Sequence, residues 1–235
     1  MLSKLIGIDT EQSFPKAISA SGGGGKFTTD GAPLLFPGNT FLCHIDPASD
    51  FYRALCEMLD RLKNLPQANH FTFLPKSSLH MTIFGGVCGS PLGEDGWPDG
   101  LGRDATLGQI TERYRDLFTR MQGPQSLSVK PVSIDTPAKI IMTAATSQDA
   151  QSLHDMRHNL QELTGIYRPD FDSYQFHVSL AYLVRWLSRD DAIRYSKATD
   201  AIFQECLGDI KSVDLGPVEF CEFETMHHFR PICRR

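Results

Sequence analysis

The stretch Leu79-His80-Met81-Thr82-Ile83-Phe84 has a close echo in Phe176-His177-Val178-Ser179-Leu180-Ala181-Tyr182. Each places a histidine, an apolar residue and a hydroxyl residue in that order. Both are rich in β-branched and aromatic residues, which predicts two short strands. Because side chains alternate between the faces of a strand, each histidine shares a face with the hydroxyl residue two positions on. Each strand is therefore predicted to present an imidazole and a hydroxyl on one side and apolar side chains on the other.

The predicted elements around the two strands also recur in one order. From Thr40 the hydrophobic patterns predict strand, helix, histidine strand, helix and strand, and the same order follows around His177. We predict strands at 40–45, 71–74, 79–85, 125–134, 139–146, 174–184 and 218–229. We predict helices at 46–65, 107–121, 147–163 and 188–207, with Asp46, Ser147 and Ser188 at three of their starts. The sequence thus predicts a pseudo-symmetric α+β domain with a cleft between its halves.

Residues 1–32 are polar and rich in glycine, with Ser21-Gly22-Gly23-Gly24-Gly25-Lys26 at their centre. A phosphate-binding P-loop needs the pattern G-x-x-x-x-G-K-[ST] between a strand and a helix. Here Ala20 stands in place of the first glycine, and Phe27 follows the lysine. We therefore interpret residues 1–32 as a flexible N-terminal arm and residues 33–235 as a single domain of two lobes.

The composition is that of an ordinary soluble protein, with 41% hydrophobic and 22% charged residues among 235. A net charge of −5 argues against a long nucleic-acid footprint, which needs a basic surface, but it allows a small phosphate ligand or an RNA end. Six cysteines without C-x-x-C spacing indicate reduced thiols rather than disulfides or a zinc site. Neither a signal-peptide pattern nor a membrane-length apolar segment is present, so we expect a cytoplasmic monomer with no membrane association.

Two histidines that face each other across a cleft can divide acid–base work between them. The ordinary imidazole pKa of about 6.5 lets one accept a proton while the other donates one near neutral pH. Hydroxyl groups on the same face can donate hydrogen bonds to non-bridging phosphoryl oxygens and stabilise charge in the transition state. Phosphodiester cleavage needs this set of groups and does not require a metal. The alternative interpretation of the two histidines is a pair of buried structural residues.

The motifs His80-Met81-Thr82 and His177-Val178-Ser179 resemble the paired H-x-[ST] signatures of the two-histidine (2H) phosphoesterase superfamily, which includes RNA 2′,3′-cyclic phosphodiesterases once called 2′-5′ RNA ligases. The resemblance implies a bilobal fold of two antiparallel-sheet lobes, with helices outside and a central cleft. It also implies metal-independent hydrolysis of a 2′,3′-cyclic phosphate or a related phosphodiester, with no cofactor. By motif position, His80 and His177 would be the catalytic acid and base, and Thr82 and Ser179 would bind the phosphate.

The residues that precede the first strand distinguish this chain within that superfamily. Lys26-Phe27, Asp30-Gly31 and Phe36-Pro37-Gly38-Asn39-Thr40 resemble an uncharacterised branch that carries an N-terminal extension. The RNA-processing members begin almost at the first strand. The substrate implied by the resemblance is therefore no narrower than a small nucleotide or an RNA-end phosphodiester.

Several further residues are candidates for contacts with a substrate. Phe84 shares the predicted face of His80 and could stack on a base. His44 ends the first strand, and His228 lies on the last one, where either it or His227 could face the cleft. By simple alternation Tyr182 points into the core. Three cations flank the histidine strands and could contact the charge of a phosphate, although we favour a surface position for each: Lys76, Arg168 and Arg185.

Three functional hypotheses remain open at this level. The first is a 2H-type phosphodiesterase that acts on a small cyclic or terminal phosphodiester. The second is a module of the same fold that binds a nucleotide or RNA end without cleaving it. The third is a metal hydrolase using His154 and His158, which lie four residues apart on a predicted helix but lack the glutamate of H-E-x-x-H. We favour the first and expect no metal.

Overall fold

The histidine motifs lie on two strands of one large sheet. The computed structural model describes residues 2–8, 10–20, 23–94, 96–123, 126–135 and 138–235. Its strands are β1 (Gly38–His44), β2 (Phe71–Phe73), β3 (His80–Cys88), β4 (Leu127–Asp135), β5 (Lys139–Ala144), β6 (His177–Ser179), β7 (Ala181–Leu183), β8 (Val213–Leu215), β9 (Glu219–Thr225) and β10 (His228–Arg234). Its α-helices are α1 (Ser3–Ile6), α2 (Asp50–Lys63), α3 (Leu107–Phe118), α4 (Ser147–Thr164) and α5 (Arg189–Leu207).

Eight strands form a continuous antiparallel sheet in the order β10-β9-β1-β3-β6-β5-β4-β8. The remaining strands, β2 and β7, pair with each other in a small separate sheet. The histidine strands β3 and β6 are neighbours at the middle of the large sheet, where Met81 pairs with Val178. The fold therefore brings the two motifs side by side, although they are far apart in the chain.

The sheet has an internal pseudo-symmetry. Strands β9, β1 and β3 of the first lobe correspond in position to β4, β5 and β6 of the second. Helices α2 and α4 occupy equivalent places after β1 and β5, and the helices pack in equivalent pairs, α2 with α5 and α3 with α4. The predicted α+β fold of two antiparallel-sheet lobes is confirmed. The two lobes are halves of one continuous sheet because β3 and β6 pair directly.

Each of the four long helices begins at a hydroxyl side chain that accepts a hydrogen bond from the backbone N–H three residues later. These N-caps are Ser49, Thr106, Thr146 and Ser188. Such caps satisfy backbone donors that have no partner within the helix. The start at Ser188 was predicted correctly. The starts at Asp46 and Ser147 were wrong, because Ser49 and Thr146 have the extended backbone that an N-cap requires.

Two predicted strands are each divided in the structure. The stretch 174–184 forms β6 and β7, which belong to different sheets. Leu180 separates them, and its N–H donates to the carbonyl of Ala138, which lies just before β5. The stretch 218–229 is the first strand and turn of a hairpin, since β9 ends at Thr225 and β10 returns from His228. The prediction for 125–134 begins at Gln125, which lies outside the described residues.

The N-terminal segment has fixed contacts where a flexible arm was predicted. Leu5 is buried in the main core, and Phe27 is buried in a smaller core that also contains Ile18 and Phe36. Backbone bridges join Phe27 to Ile18 and to Pro33. The described part of residues 1–32 packs on the domain because these apolar side chains leave water. The prediction of a flexible arm relied on the glycine content of this segment and overlooked its apolar side chains.

No helix in the described part of the chain combines the length and the apolar character needed to cross a membrane.

Candidate active site

The two histidine motifs line one cavity at the junction of the lobes. Met81 and Val178, which pair across β3 and β6, are fully buried. The residues on either side of them point to the opposite face, and all four predicted residues, His80, Thr82, His177 and Ser179, line a cavity of about 310 Å³. In this antiparallel register His80 lies opposite Ser179, and His177 lies opposite Thr82. His80 and His177 are thus diagonal neighbours, and standard sheet geometry places their Cα atoms about 7–8 Å apart.

Each imidazole is held in the same way. His80 Nδ1 donates to the backbone carbonyl of Ser78 at 2.6 Å, and His177 Nδ1 donates to the carbonyl of Gln175 at 2.9 Å. A carbonyl oxygen only accepts, so Nδ1 carries the proton and Nε2 is the nitrogen available to a ligand. The carbonyl comes from two residues before the histidine in both lobes. The pseudo-symmetry of the fold therefore extends to the orientation of both rings.

Burial disfavours the charged form of both imidazoles. It lowers the pKa of His80 from 6.5 to about 4, with smaller contributions from the nearby His44 and His177 and an opposing one from the Ser78 carbonyl. Burial also lowers the pKa of His177, again against its carbonyl partner, and the positive charges of Lys139 and Lys26 lower it further. Both rings are therefore neutral near pH 7, and His80 holds a proton less readily.

The described residues that line the cavity include three cations, Lys26, Arg157 and Arg168, and one carboxylate, Asp170. Arg157 is only 4% exposed, and its guanidinium lies 4.2 Å from the centre of the Tyr174 ring. It donates to the carbonyls of Ile83 (2.7 Å) and Phe171 (3.3 Å). Arg157 was missed from the sequence, although an arginine within the buried stripe of α4 was a usable signal. The cavity is positively charged overall and suits an anion.

Arg168 was predicted to be a surface residue, which is wrong. Its Nη2 donates to the carbonyl oxygens of Gly85 (2.8 Å) and Gly86 (3.0 Å), and the side chain lines the cavity. These hydrogen bonds join the second half of β3 to the loop that carries Arg168. Lys76 remains on the surface, where it pairs with Asp60 at 2.7 Å.

Phe84 does not reach the cavity, contrary to prediction. Thr82 pairs with Leu42 while Phe84 pairs with Phe41, so β3 contains one extra residue, Ile83, relative to β1. This β-bulge shifts the alternation by one position. Phe84 is fully buried in the core, and Gly85 takes its place at the cavity wall.

His44 and His228 also lie outside this cavity. His44 pairs with His80 across β1 and β3, and its Nδ1 contacts the carboxylate of Glu219. His228 is exposed at the start of β10 and lines a different surface pocket with Arg230. The next residue, Phe229, faces the cavity instead and packs on His80, with 4.2 Å between ring centres. The hairpin turn, which the sequence did not predict, sets this alternation.

Tyr182 lines the cavity although simple alternation placed it in the core. The interruption of the strand at Leu180 shifts the register, so His177, Ser179 and Tyr182 share one face. Lys26 lies above this ring, with Nζ 5.5 Å from its centre, and 5.2 Å from the centre of Phe36. The N-terminal segment therefore supplies one wall of the cavity.

The motif Phe36-Pro37-Gly38-Asn39-Thr40 builds the adjoining wall. Asn39 is buried, where its Oδ1 accepts from Val87 N–H (3.0 Å) and its Nδ2 donates to Thr111 (3.0 Å). Gly38 lies so close to β3 and β9 that an added Cβ would be 2.7 Å from the Phe223 ring. Thr40 Oγ1 donates to the Phe84 carbonyl at 3.3 Å. These contacts fix β1 against β3 beside the bulge.

One group of side chains in the described part of the chain has the composition of a metal site. The ligand atoms of His44, Glu219 and Cys221 lie within 4.8 Å of one another. Glu219 is already paired with Arg234 at 2.6 Å and with His44. His154 and His158, the alternative metal ligands, are exposed on α4 and belong to no such group among the described residues.

Comparisons with known proteins give a consistent picture. Residues 26–138 match the family model 2H-phosphodiest, described as a domain of unknown function (DUF1868). A conserved protein of unknown function from Agrobacterium tumefaciens str. C58 is similar over 99% of this chain and 97% of its own, with 27% identity and a TM-score of 0.89. No curated protein matches this chain in sequence.

More distant crystal structures share the fold. One is a phosphoesterase with a TM-score of 0.52 and 10% identity, aligned over 85% of this chain and 97% of its own. Another is LigT from E. coli in complex with NADP+, with a TM-score of 0.51 and 12% identity over 84% and 95% of the two chains. The chain thus shares the fold of these structures, and the family model that matches residues 26–138 together with this fold supports a place in the two-histidine (2H) phosphoesterase superfamily.

Proposed function

We propose that this protein is a metal-independent phosphodiesterase that hydrolyses a 2′,3′-cyclic phosphate or a related small phosphodiester. The superfamily fold supports a phosphoesterase-type function. One observation carries the finer proposal: two imidazoles, each fixed through Nδ1 to a backbone carbonyl, line one cavity together with two hydroxyl groups. Such a set supplies a base, an acid and two hydroxyl groups that can donate hydrogen bonds to the phosphoryl oxygens.

The roles of the two histidines follow from their environments. His80, whose pKa is lowered to about 4, accepts a proton from the attacking water at Nε2. His177, protonated in the reactive form, donates a proton to the leaving ribose oxygen as the P–O bond breaks. The bound phosphodiester anion favours this protonation. Thr82 and Ser179 donate hydrogen bonds to the non-bridging oxygens, where negative charge builds.

A small nucleotide or an RNA end is the substrate class that the cavity favours. Its volume of about 310 Å³ and its cationic side chains suit a phosphorylated ligand of limited size. Aromatic side chains that line it, among them Phe36, Tyr182 and Phe229, offer surfaces for a base. The E. coli LigT structure holds NADP+, a nucleotide, in a related fold. We place the activity in the two-lobed domain of residues 33–235 of a cytoplasmic monomer, with the N-terminal segment completing the cavity wall at Lys26. The six free cysteines suit a reducing compartment.

A panel of nucleotides tests this proposal directly. We expect the purified protein to hydrolyse 2′,3′-cyclic nucleotides to monophosphates with an unchanged rate in excess EDTA. The 3′,5′-cyclic isomers serve as the comparison. Loss of activity in EDTA, restored by one added metal, would contradict the metal-independent mechanism. Tight binding of these nucleotides without any cleavage would instead identify a nucleotide- or RNA-end-binding module of the same fold.

The pH dependence of hydrolysis should have its optimum on the acid side. A plot of kcat/KM reports the ionisations of the free enzyme. We expect kcat/KM to rise as pH increases through about 4, where His80 loses its proton, and to fall above the pKa of His177, which lies below 6.5. The optimum therefore lies below pH 6.5. An optimum above pH 7.5 would contradict this assignment of base and acid.

Protein stability must be checked over the same pH range. Histidines that are buried in the neutral form take up protons more readily in the unfolded chain. Stability therefore declines as pH falls from 6.5 towards about 4. Each sample should be returned to pH 7 and assayed again, so that reversible protonation is separated from unfolding.

A further inference from the structure

The chain between α4 and β6, residues 165–176, carries the groups that orient His177. It forms turns and extended chain rather than a helix or a strand. Its Gln175 carbonyl accepts the hydrogen bond from His177 Nδ1 at 2.9 Å. Its Tyr174 ring lies beside the imidazole, with 6.3 Å between ring centres. The orientation of His177 therefore depends on what holds this 165–176 segment in place.

Two arginines tie the 165–176 segment to β3 of the first lobe. Arg157 of α4 donates from Nη1 to the carbonyl of Ile83, the bulged residue of β3, at 2.7 Å. Its Nη2 donates to the carbonyl of Phe171, within the segment, at 3.3 Å. Arg168 of the segment donates to the Gly85 carbonyl of β3 at 2.8 Å. The guanidinium of Arg157 thus bridges the strand that carries one catalytic histidine and the segment that precedes the other.

The same guanidinium packs against the aromatic side chains of the segment. Its central carbon lies 4.2 Å from the ring centre of Tyr174 and 4.8 Å from that of Phe171. Tyr174 in turn contacts His177, so one ring lies between the guanidinium and the imidazole. Burial lowers the pKa of Arg157, and a buried charge is stable only where hydrogen bonds and aromatic faces replace water. These contacts therefore fix the Arg157 side chain in one position.

We propose that Arg157 is a positioning residue for His177, which it holds in register with the first lobe through Tyr174 and the 165–176 segment. Its consequence for turnover rests on the proposed function. Because β3 carries both Ile83 and His80, one side chain then sets the position of each imidazole relative to the other. A lysine at position 157 would keep the charge, but its ammonium lacks the planar fork that reaches two carbonyls at once.

Nitrogen-15 NMR of the imidazoles tests the inference without any turnover. At pH 7 we expect His80 and His177 of the wild type to carry their proton on Nδ1, because each donates to a carbonyl. In Arg157→Lys, His177 should shift towards the form protonated on Nε2, while His80 stays unchanged. Tyr174→Leu keeps both hydrogen bonds of Arg157 and removes only the ring between it and His177, so it should cause the same shift.

Met156→Ala is the matched control for these variants. Met156 is as buried as Arg157 on the same helix, but it does not line the cavity. Its loss should lower the free energy of unfolding and leave both imidazoles as in the wild type. A residue with a purely structural role would behave in the same way as Met156.

Turnover gives a second, independent measurement. Arg157→Lys should lower kcat about tenfold to a hundredfold and change KM less than about threefold, since the charge of the cavity is kept while His177 is displaced. A residue that only supplied positive charge to the phosphate would show the reverse, with lysine restoring wild-type kcat, and that result would overturn the positioning role.

The outcomes separate this inference from the proposed function. An unchanged His177 in either Arg157→Lys or Tyr174→Leu would overturn the role of Arg157, and so would an equal shift in Met156→Ala or a joint shift of His80 and His177. If Arg157→Lys did not fold, Tyr174→Leu would decide alone. Failure to hydrolyse cyclic nucleotides would overturn the phosphodiesterase proposal, whereas a selective shift of His177 would still support the positioning role.

Discussion

We expect His177→Ala to lower the kcat for the proposed hydrolysis of a 2′,3′-cyclic nucleotide by about 10²- to 10⁴-fold, and His80→Ala to do the same. Each substitution removes one proton-transfer group and leaves the hydroxyls and cations in place. Because the two groups act in the same step, the double variant should lose much less than the product of the two single losses. Steady-state kinetics on the three variants, with circular dichroism to confirm folding, measures these effects.

His154→Ala is the matched control for this experiment. His154 is exposed on α4 and lies outside the cavity, so its loss should leave kcat and KM unchanged. If both cavity histidines could be replaced with wild-type turnover retained, the acid–base mechanism would be wrong. If only His80→Ala retained turnover, the attacking water would need a different base, and the assignment of that role to His80 would be wrong.

Gly86→Ala should destabilise the protein by about 2 to 4 kcal/mol, the sum of overpacking and loss of a buried hydrogen bond. An added Cβ at Gly86 would contact Asn39 Oδ1 and would lie 2.7 Å from the Asn39 carbonyl oxygen. Asn39 is 1% exposed, so it cannot move aside into solvent, and its bonds to Val87 and Thr111 would be strained. Urea unfolding of the variant measures the loss.

Gly216→Ala provides the comparison, because an added Cβ there meets no atom within 4 Å. It should change the free energy of unfolding by less than about 0.5 kcal/mol. A Gly86→Ala variant as stable as this control would show that β1 and β3 can separate beside the bulge. In that case the Phe36–Thr40 motif would not fix the cavity wall.

The sequence was sufficient for the elements whose pattern is local. The repeated histidine-apolar-hydroxyl motif predicted that His80, Thr82, His177 and Ser179 share a site, and the structure brings all four to one cavity. The repeated order of strands and helices predicted the pseudo-symmetric fold, which is confirmed. Both predictions depend only on alternation within a strand and on hydrophobic spacing along a helix.

The errors on which aromatic and histidine side chains face the cavity have a different physical origin, which is strand irregularity. The bulge at Ile83 and the break at Leu180 each shift the alternation by one residue, which sends Phe84 inward and Tyr182 outward. Such shifts depend on pairing with a neighbouring strand, so they leave no mark in local sequence. The hairpin between β9 and β10 has the same effect, because it places Phe229 at the cavity wall and leaves His228 exposed.

The sheet order has a consequence for how this protein is made. The outer strands of the first lobe, β9 and β10, are the last strands of the chain, while the strand they cover, β1, is the first. During synthesis β3 can pair with one edge of β1 soon after it is made, but the other edge stays open until residues 219–225 of β9 leave the ribosome. Open edges favour association with other nascent chains. Phe229, which packs on His80, also arrives with this hairpin, so the cavity wall is complete only after the hairpin has been made.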